Sequence, residues 1–313
     1  MMESDKTNIN YLIEDDTISF TKLFSLIWDA RKLIVLITSV FALCSIFYSL
    51  SLTNYYKSEA VLNLADGPTD MASLSRYSGL ASMAGISMPG AGEDKGALIV
   101  NTIRSRAFLK HLLSFEDILP SIMAAESYDS ETKKIVFDSG IYDASDKSWT
   151  RKSSNGQQAK PSYIEAFDVY ITQMEINYNF TQRLVFVSVE HVSPIFAKEF
   201  LDLIIHEADT LIRNKDLQES SGALEYLVSE ISKTSLIEMK SSINQLIQSQ
   251  LETQMMAKVS TDYALKVIEP AFIPEKKSKP SRSLIVVLGT TLGFVFGIIW
   301  ILARYYFTLN ATK

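Results

Sequence analysis

Two long stretches of the chain carry no charge: Leu33 to Leu52 (LIVLITSVFALCSIFYSLSL) and Ser283 to Ala303 (SLIVVLGTTLGFVFGIIWILA). Each has about 20 residues, and at roughly 1.5 Å per residue a helix of that length crosses about 30 Å of hydrocarbon. Neither shows the polar face that a helix in a soluble core keeps toward water. They predict two membrane spans.

The 313 residues are 47% apolar and 21% charged, with a mean hydropathy of +0.09. That is too apolar for a disordered chain and slightly too apolar for an ordinary soluble one. A soluble cytoplasmic enzyme is excluded, and two spans are too few for a multi-span transporter or polymerase. The 32 residues before the first run include Glu3, Asp5, Glu14, Asp15 and Asp16, unlike the short basic start of a signal peptide. An uncleaved anchor is expected. The only cysteine, Cys44, lies inside the first run, so no disulfide framework can form within one chain.

Two spans make a hairpin, with both termini on one side and residues 53–282 on the other. The central segment holds 24 basic and 30 acidic groups and so carries the whole net charge of −6, which argues against a nucleic-acid partner. Lysine and arginine near the spans tie: Lys22, Arg31, Lys32, Arg304 and Lys313 on the terminal side, against Lys57, Lys276, Lys277, Lys279 and Arg282. The first span usually dominates orientation, and there Arg31 and Lys32 outweigh Lys57. Cytoplasmic termini and an exported central domain are expected.

Phe20, Leu23, Phe24, Ile27 and Trp28 recur at helical spacing, predicting an amphipathic helix on the inner leaflet. In that reading Trp28 lies in the headgroup zone, and Arg31 and Lys32 mark the boundary. Tyr56 to Leu64 reads as a strand. Residues 65–96 read as a flexible surface loop, in which Gly90, Gly92 and Gly96 lack the GK[ST] of a phosphate-binding loop. Residues 97–113 have helical periodicity with a basic face of Arg104, Arg106 and Lys110, while 114–160 are polar and irregular. Tyr170 to Asn177 and Arg183 to Glu190 read as a hairpin.

Ser193-Pro194 is a helix start, with serine as N-cap and proline in the first turn. Helix-compatible sequence then continues to about Gln254, and Gly222 is the only interior breaker. A helix from Ala223 to Met256 would be about 50 Å long and must project or pack against copies of itself. Tyr263 to Glu269 returns as a short strand. The expected fold is an α+β membrane protein: two transmembrane helices flank a periplasmic α/β base with a long extended helical arm. Its parts are a cytoplasmic segment 1–32 with the amphipathic helix, spans 33–52 and 283–303, a domain 53–282 with long helices over about 194–256, and a short cytoplasmic tail 304–313.

His111, His191 and His206 are scattered outside any ligand spacing, and GxSxG, Walker and kinase signatures are missing, so neither enzyme chemistry nor a cofactor or metal is expected. The specific features lie around the second span. Gly289, Gly293 and Gly297 form a GxxxGxxxG ladder on one helix face, where missing side chains admit another helix. Pro270, Pro274 and Pro280 stiffen the segment leading into it.

These residues resemble the Wzz, or chain-length determinant, family of polysaccharide co-polymerases. The likeness is carried by Phe20 to Trp28 (FTKLFSLIW), Tyr55 to Ala60 (YYKSEA), Pro270, Pro274 and Pro280, and the Gly289/Gly293/Gly297 span. The proline spacing of four and then six is less regular than in that family. The resemblance implies a bacterial inner-membrane protein with a periplasmic α/β base and a long helix. It further implies a homo-oligomer, about octameric, that works with a polysaccharide polymerase to set how many repeats a lipid-linked polysaccharide receives, and catalyses nothing itself. Some relatives continue into a tyrosine kinase; here Arg304 to Lys313 carry no Walker motif, so no fused kinase is expected, and Tyr305 and Tyr306 read as an aromatic belt.

The leading expectation is therefore a regulator of lipopolysaccharide O-antigen chain length. The alternatives are a co-polymerase for capsule, exopolysaccharide or common antigen and, from another class, a two-span periplasmic sensor or an exported enzyme. The charge asymmetry at the first span predicts that a reporter fused near Gln157 is active only outside the cytoplasm. Activity confined to the cytoplasm would reverse the topology.

Overall fold

The computed structural model describes residues 28–65, 95–152 and 158–311, in two compact units. One unit holds α1 (Arg31–Ser51) and α8 (Arg282–Ala311). Both helices are long and apolar enough to cross a membrane. Most of their residues are exposed, Val35, Phe47 and Leu292 among them, which a soluble core helix would not tolerate but lipid would. Of the amphipathic stretch before them, only Trp28 lies within the described residues.

The second unit, Thr53–Lys279, is built on a four-stranded sheet in the order β6-β7-β1-β8, entirely antiparallel. The strands are β1 (Tyr56–Leu64), β6 (Met174–Asn179), β7 (Leu184–His191) and β8 (Leu265–Glu269). Alternation decides which face is buried. Ala60, Leu62 and Leu64 point with Ile176, Val185, Val187 and Val189 into the core, whereas Lys57, Glu59, Glu175 and Phe186 take the opposite face.

Helices cover the core face. α2 (Lys95–Ile103), α3 (Arg106–Leu112) and α5 (Tyr163–Gln173) surround the first half of α6 (Pro194–Lys233). Phe196, Phe200, Leu201, Ile204, Ala208 and Ile212 of α6 lie at helical spacing against the sheet. Ser193 Oγ accepts from Phe196 N–H at 3.2 Å, with Pro194 at the first turn.

Local chemistry moves several sequence boundaries. Residues 97–113 split into two helices because Ser105 caps the second, accepting from Phe108 N–H at 3.1 Å. The basic face there is exposed yet engaged: Arg104 donates to Ile176 O, Arg106 lies over the Phe167 ring and Lys110 over Tyr163. Residues 170–173 are helix rather than strand. A capping box of Ser162 and Glu165 nucleates α5, and buried Tyr170 donates its hydroxyl to Ile103 O. Desolvation raises that phenol's pKa. The segment 114–160 contains α4 (Ile118–Ala124) and two short hairpins, β2–β3 (Ala125–Asp129, Lys134–Phe137) and β4–β5 (Tyr142–Asp143, Ser148–Trp149). Gly96 belongs to α2 rather than to a loop; a Cβ there would lie 2.3 Å from the Tyr178 ring.

The arm differs most from expectation. α6 runs straight through Gly222 for 40 residues, about 60 Å, and ends at Lys233. Thr234 and Leu236 are extended, and α7 (Ile237–Val259) folds back along α6. Leu227, Ile243 and Leu246 bury the apolar part of this hairpin, and Gln254 donates to Ser221 Oγ at 2.9 Å. The interrupted apolar stripe between Ile231 and Leu236, rather than the glycine, marks the turn.

Asp209 fixes the return to the sheet. Its Oδ1 accepts from the backbone N–H of Tyr263, Ala264 and Leu265, and its Oδ2 from Arg213, which also donates to Thr261 O. Tyr263 donates its hydroxyl to Asp216 at 2.6 Å. A carboxylate satisfying three consecutive amides makes the α7–β8 turn part of the core.

His191, at the end of β7, is buried; its Nδ1 accepts from Ser193 N–H and its Nε2–H donates to Ser121 O. Burial pushes its pKa down to about 4 from 6.5, so the folded domain holds it neutral. Between those values the unfolded chain binds the extra proton, so stability falls as pH drops from 6.5 toward 4, by up to about 3 kcal/mol. Melting temperature against pH should therefore fall more steeply for the wild type than for His191→Gln. Equal slopes would refute this.

Candidate functional site

The two-helix unit is organised by the glycine face. α1 and α8 run antiparallel, with Gly289 against Ser45, Gly293 against Phe41 and Gly297 against Ile34. A Cβ at Gly289 would sit 2.5 Å from Ser45 Cβ, and one at Gly293 2.5 Å from Phe41 Cβ. Carbon atoms prefer about 3.5–4.0 Å, so these two positions admit only glycine at this helix separation. At Gly297 the nearest atoms are 3.6 Å away, ordinary contact. Phe296 lies 5.7 Å from Phe41 and 6.3 Å from Trp300, closing one side of the seam with aromatic rings. At the start of α1, Arg31 and Lys32 are exposed, and the Arg31 guanidinium lies 5.3 Å over the Trp28 ring.

Pro270 and Pro274 belong to the other unit, in a strap that follows β8 beside the first half of β1, whereas Pro280 falls in the two-helix unit. Ala271 and Pro274 are buried, Pro270 is exposed, and Ser58 Oγ donates to Phe272 O at 2.7 Å. Farther on, Tyr55 N–H donates to Lys279 O at 2.9 Å and Ser278 N–H to Tyr55 O at 2.8 Å. Glu190 receives Ser278 Oγ and Lys279 Nζ, at 2.5 and 2.6 Å, on its two carboxylate oxygens. That ion pair is largely screened from water on the glutamate side, which strengthens it relative to an exposed pair. Tyr55 comes four residues after α1 and Lys279 three before α8, so the chain leaves one apolar helix and enters the other through a single clamp. Tyr55, Glu190 and Ser278 carry no sequence signal of this role; only strand register brings them together.

Of the other sequence candidates, His111 Nε2 lies 2.6 Å from Glu207 and His191 is a core residue. Among the described residues no group of His, Cys, Asp and Glu is placed to hold a metal ion.

The model described as "Chain length determinant protein" (Wzz) matches residues 16–114, covering α1, β1, α2 and α3. A second, "G-rich domain on putative tyrosine kinase" (GNVR), matches residues 239–306, which contain the strap and the glycine ladder. The chain belongs to the Wzz family. Family members are chain-length regulators, or co-polymerases, rather than a classical catalytic family. Among solved structures, the Wzz-family chain is similar to a full-length bacterial polysaccharide co-polymerase, at 13% identity over 94% of this chain and 100% of that one, TM-score 0.46. It is also similar to a fragment of WzzB, a polysaccharide co-polymerase from Salmonella Typhimurium, at 11% identity over 72% of this chain and 100% of that one, TM-score 0.29. No curated protein sequence matches the chain.

The seam distances rank substitutions. Gly289→Ala and Gly293→Leu should force the helices apart and destabilise their pairing by about 1–3 kcal/mol. Gly297→Ala and Leu292→Ala, the latter on the exposed side, should stay near wild type. Thermal stability and oligomer size of purified protein at matched abundance are the measurements. Four indistinguishable variants would show that the seam does not hold the helices.

Proposed function

We propose that this chain sets the length distribution of lipopolysaccharide O-antigen without catalysing its synthesis. It acts as a homo-oligomeric scaffold in the bacterial inner membrane, beside the polysaccharide polymerase and its lipid-linked substrate. Both termini lie in the cytoplasm, and residues 53–282 form the periplasmic domain. The carrying observation is the combination of two spanning helices at a glycine seam with a domain clamped at its two chain ends, in a member of the Wzz family.

Self-association is supported by apolar side chains left in water on the helical hairpin and the edge strand. Leu236, Met255 and Val259 are exposed, and Ile237 is 85% so. Val267 and Ile268 on β8 and Ile273 on the strap are exposed as well. Surfaces of this kind mark protein contacts, and a helix pair with residual apolar stripes pairs with copies in coiled-coil fashion. In this role Gly289, Gly293 and Gly297 hold the spans in register, Pro270, Pro274 and Pro280 transmit domain geometry to them, and Trp28, Arg31 and Lys32 anchor the first span at the interface.

Deleting the protein should leave polymer synthesis intact but remove the preferred length from the electrophoretic ladder of surface polysaccharide. An unchanged ladder, or complete loss of polymer, would overturn the reading.

A further inference from the structure

The sheet face opposite the core carries a cleft of about 220 Å³ that packing does not explain. Two cross-strand rows make its floor. In the first, Ser188 of β7 lies between Glu175 of β6 and Glu59 of β1, and Lys57 Nζ bridges those carboxylates at 3.2 and 3.0 Å. In the second, Phe186 lies between Asn177 and Val61, with Glu269 beyond on β8. Phe272 of the strap also lines the cleft.

Two features point to a ligand. Ser188 is only 6% exposed and lines the cleft, yet its hydroxyl has no hydrogen-bond partner among the described residues. The hydroxyl is not sealed off from the cleft, so it is available to bond an occupant. Phe186 stands beside it 41% exposed, a flat apolar ring that with Val61 and Phe272 forms the apolar part of a cleft whose remaining lining includes carboxylates, an amide and an ammonium.

The chemistry selects the occupant. Three carboxylates against one ammonium repel an anion such as a phosphate or a uronate. The charged rim disfavours a lipid chain. A neutral pyranose fits both halves: its C–H face lies on an aromatic ring, and its rim hydroxyls donate to carboxylates and accept from amide, hydroxyl and ammonium groups. The volume is below the roughly 300–1,000 Å³ of drug-sized sites and suits a single ring. We propose that this cleft binds one uncharged sugar residue of a glycan chain, with Phe186 as stacking platform and Ser188, Asn177 and Glu175 as hydrogen-bonding partners. This rests on the polysaccharide reading above and adds to it a direct contact with the polymer.

The test uses full-length protein in a detergent without a sugar head group. The probe is the lipid-free surface polysaccharide released by mild acid from the strain that makes the protein, with polygalacturonate as the anionic comparison. Saturation-transfer NMR should show transfer to protons of an uncharged ring and none to polygalacturonate. Phe186→Ala and, independently, Ser188→Ala, which removes only the hydroxyl, should each weaken binding at least about tenfold. Phe180→Ala, on the exposed β6–β7 turn, should not. No transfer, equal transfer to polygalacturonate, or unchanged binding in both cleft variants would overturn the inference. The deletion ladder stands apart: loss of modal length on deletion with no sugar contact at this cleft rejects the cleft alone.

Discussion

The two chain ends of the domain meet inside it. Two apolar helices that pair antiparallel oblige the chain between them to leave and return at one place. The bridge between Tyr55 and Lys279, with Glu190 gripping Ser278 and Lys279, satisfies that condition inside the domain. It also places β1, the first strand, at an inner position of the sheet, with β8, the last strand, beside it. Every later element is accommodated between these two neighbours: the β6–β7 hairpin adds on the far side of β1, and the helices fill the core face.

Close approach without side chains is a different kind of constraint from burial. In the paired helices Gly289 and Gly293 contribute no apolar area; they contribute the absence of a Cβ where Ser45 and Phe41 stand. In lipid, where apolar surface alone gives helices no reason to associate, that proximity and the packing it permits hold the pair. Gly96 works the same way in the domain, under the Tyr178 ring, whereas Gly222 has nothing near it and only marks a tolerated position in α6. The four glycines look alike in sequence, yet three stand against a neighbouring side chain and Gly222 does not.

The helical hairpin and the open sheet face are where the fold leaves surface uncommitted. α7 covers α6 through a small apolar cluster and a layer of buried polar side chains, Ser220, Ser249, Gln250 and Thr253, so the two helices pair without burying Ile237 or Met255. Asp209 and Arg213 tie the base of this hairpin to the sheet, so its position follows the core.

Much of this was legible in the residues because it depends on local periodicity and composition. The uncharged runs, the β1 alternation, the Ser193-Pro194 start and the glycine ladder are all local patterns, and the family resemblance followed from their order along the chain. Long-range partners were not legible. Nothing near Tyr170 announces that its hydroxyl will reach Ile103, nothing near Asp209 announces three amides more than fifty residues away, and Glu190 reads as one more polar position on a strand. The back-folding of α7 was hidden too, because a helix-compatible sequence does not reveal which of its faces finds a partner. Periodicity belongs to a segment by itself. Register, clamps and close approaches exist only once the segments have met, and tertiary structure alone decided them.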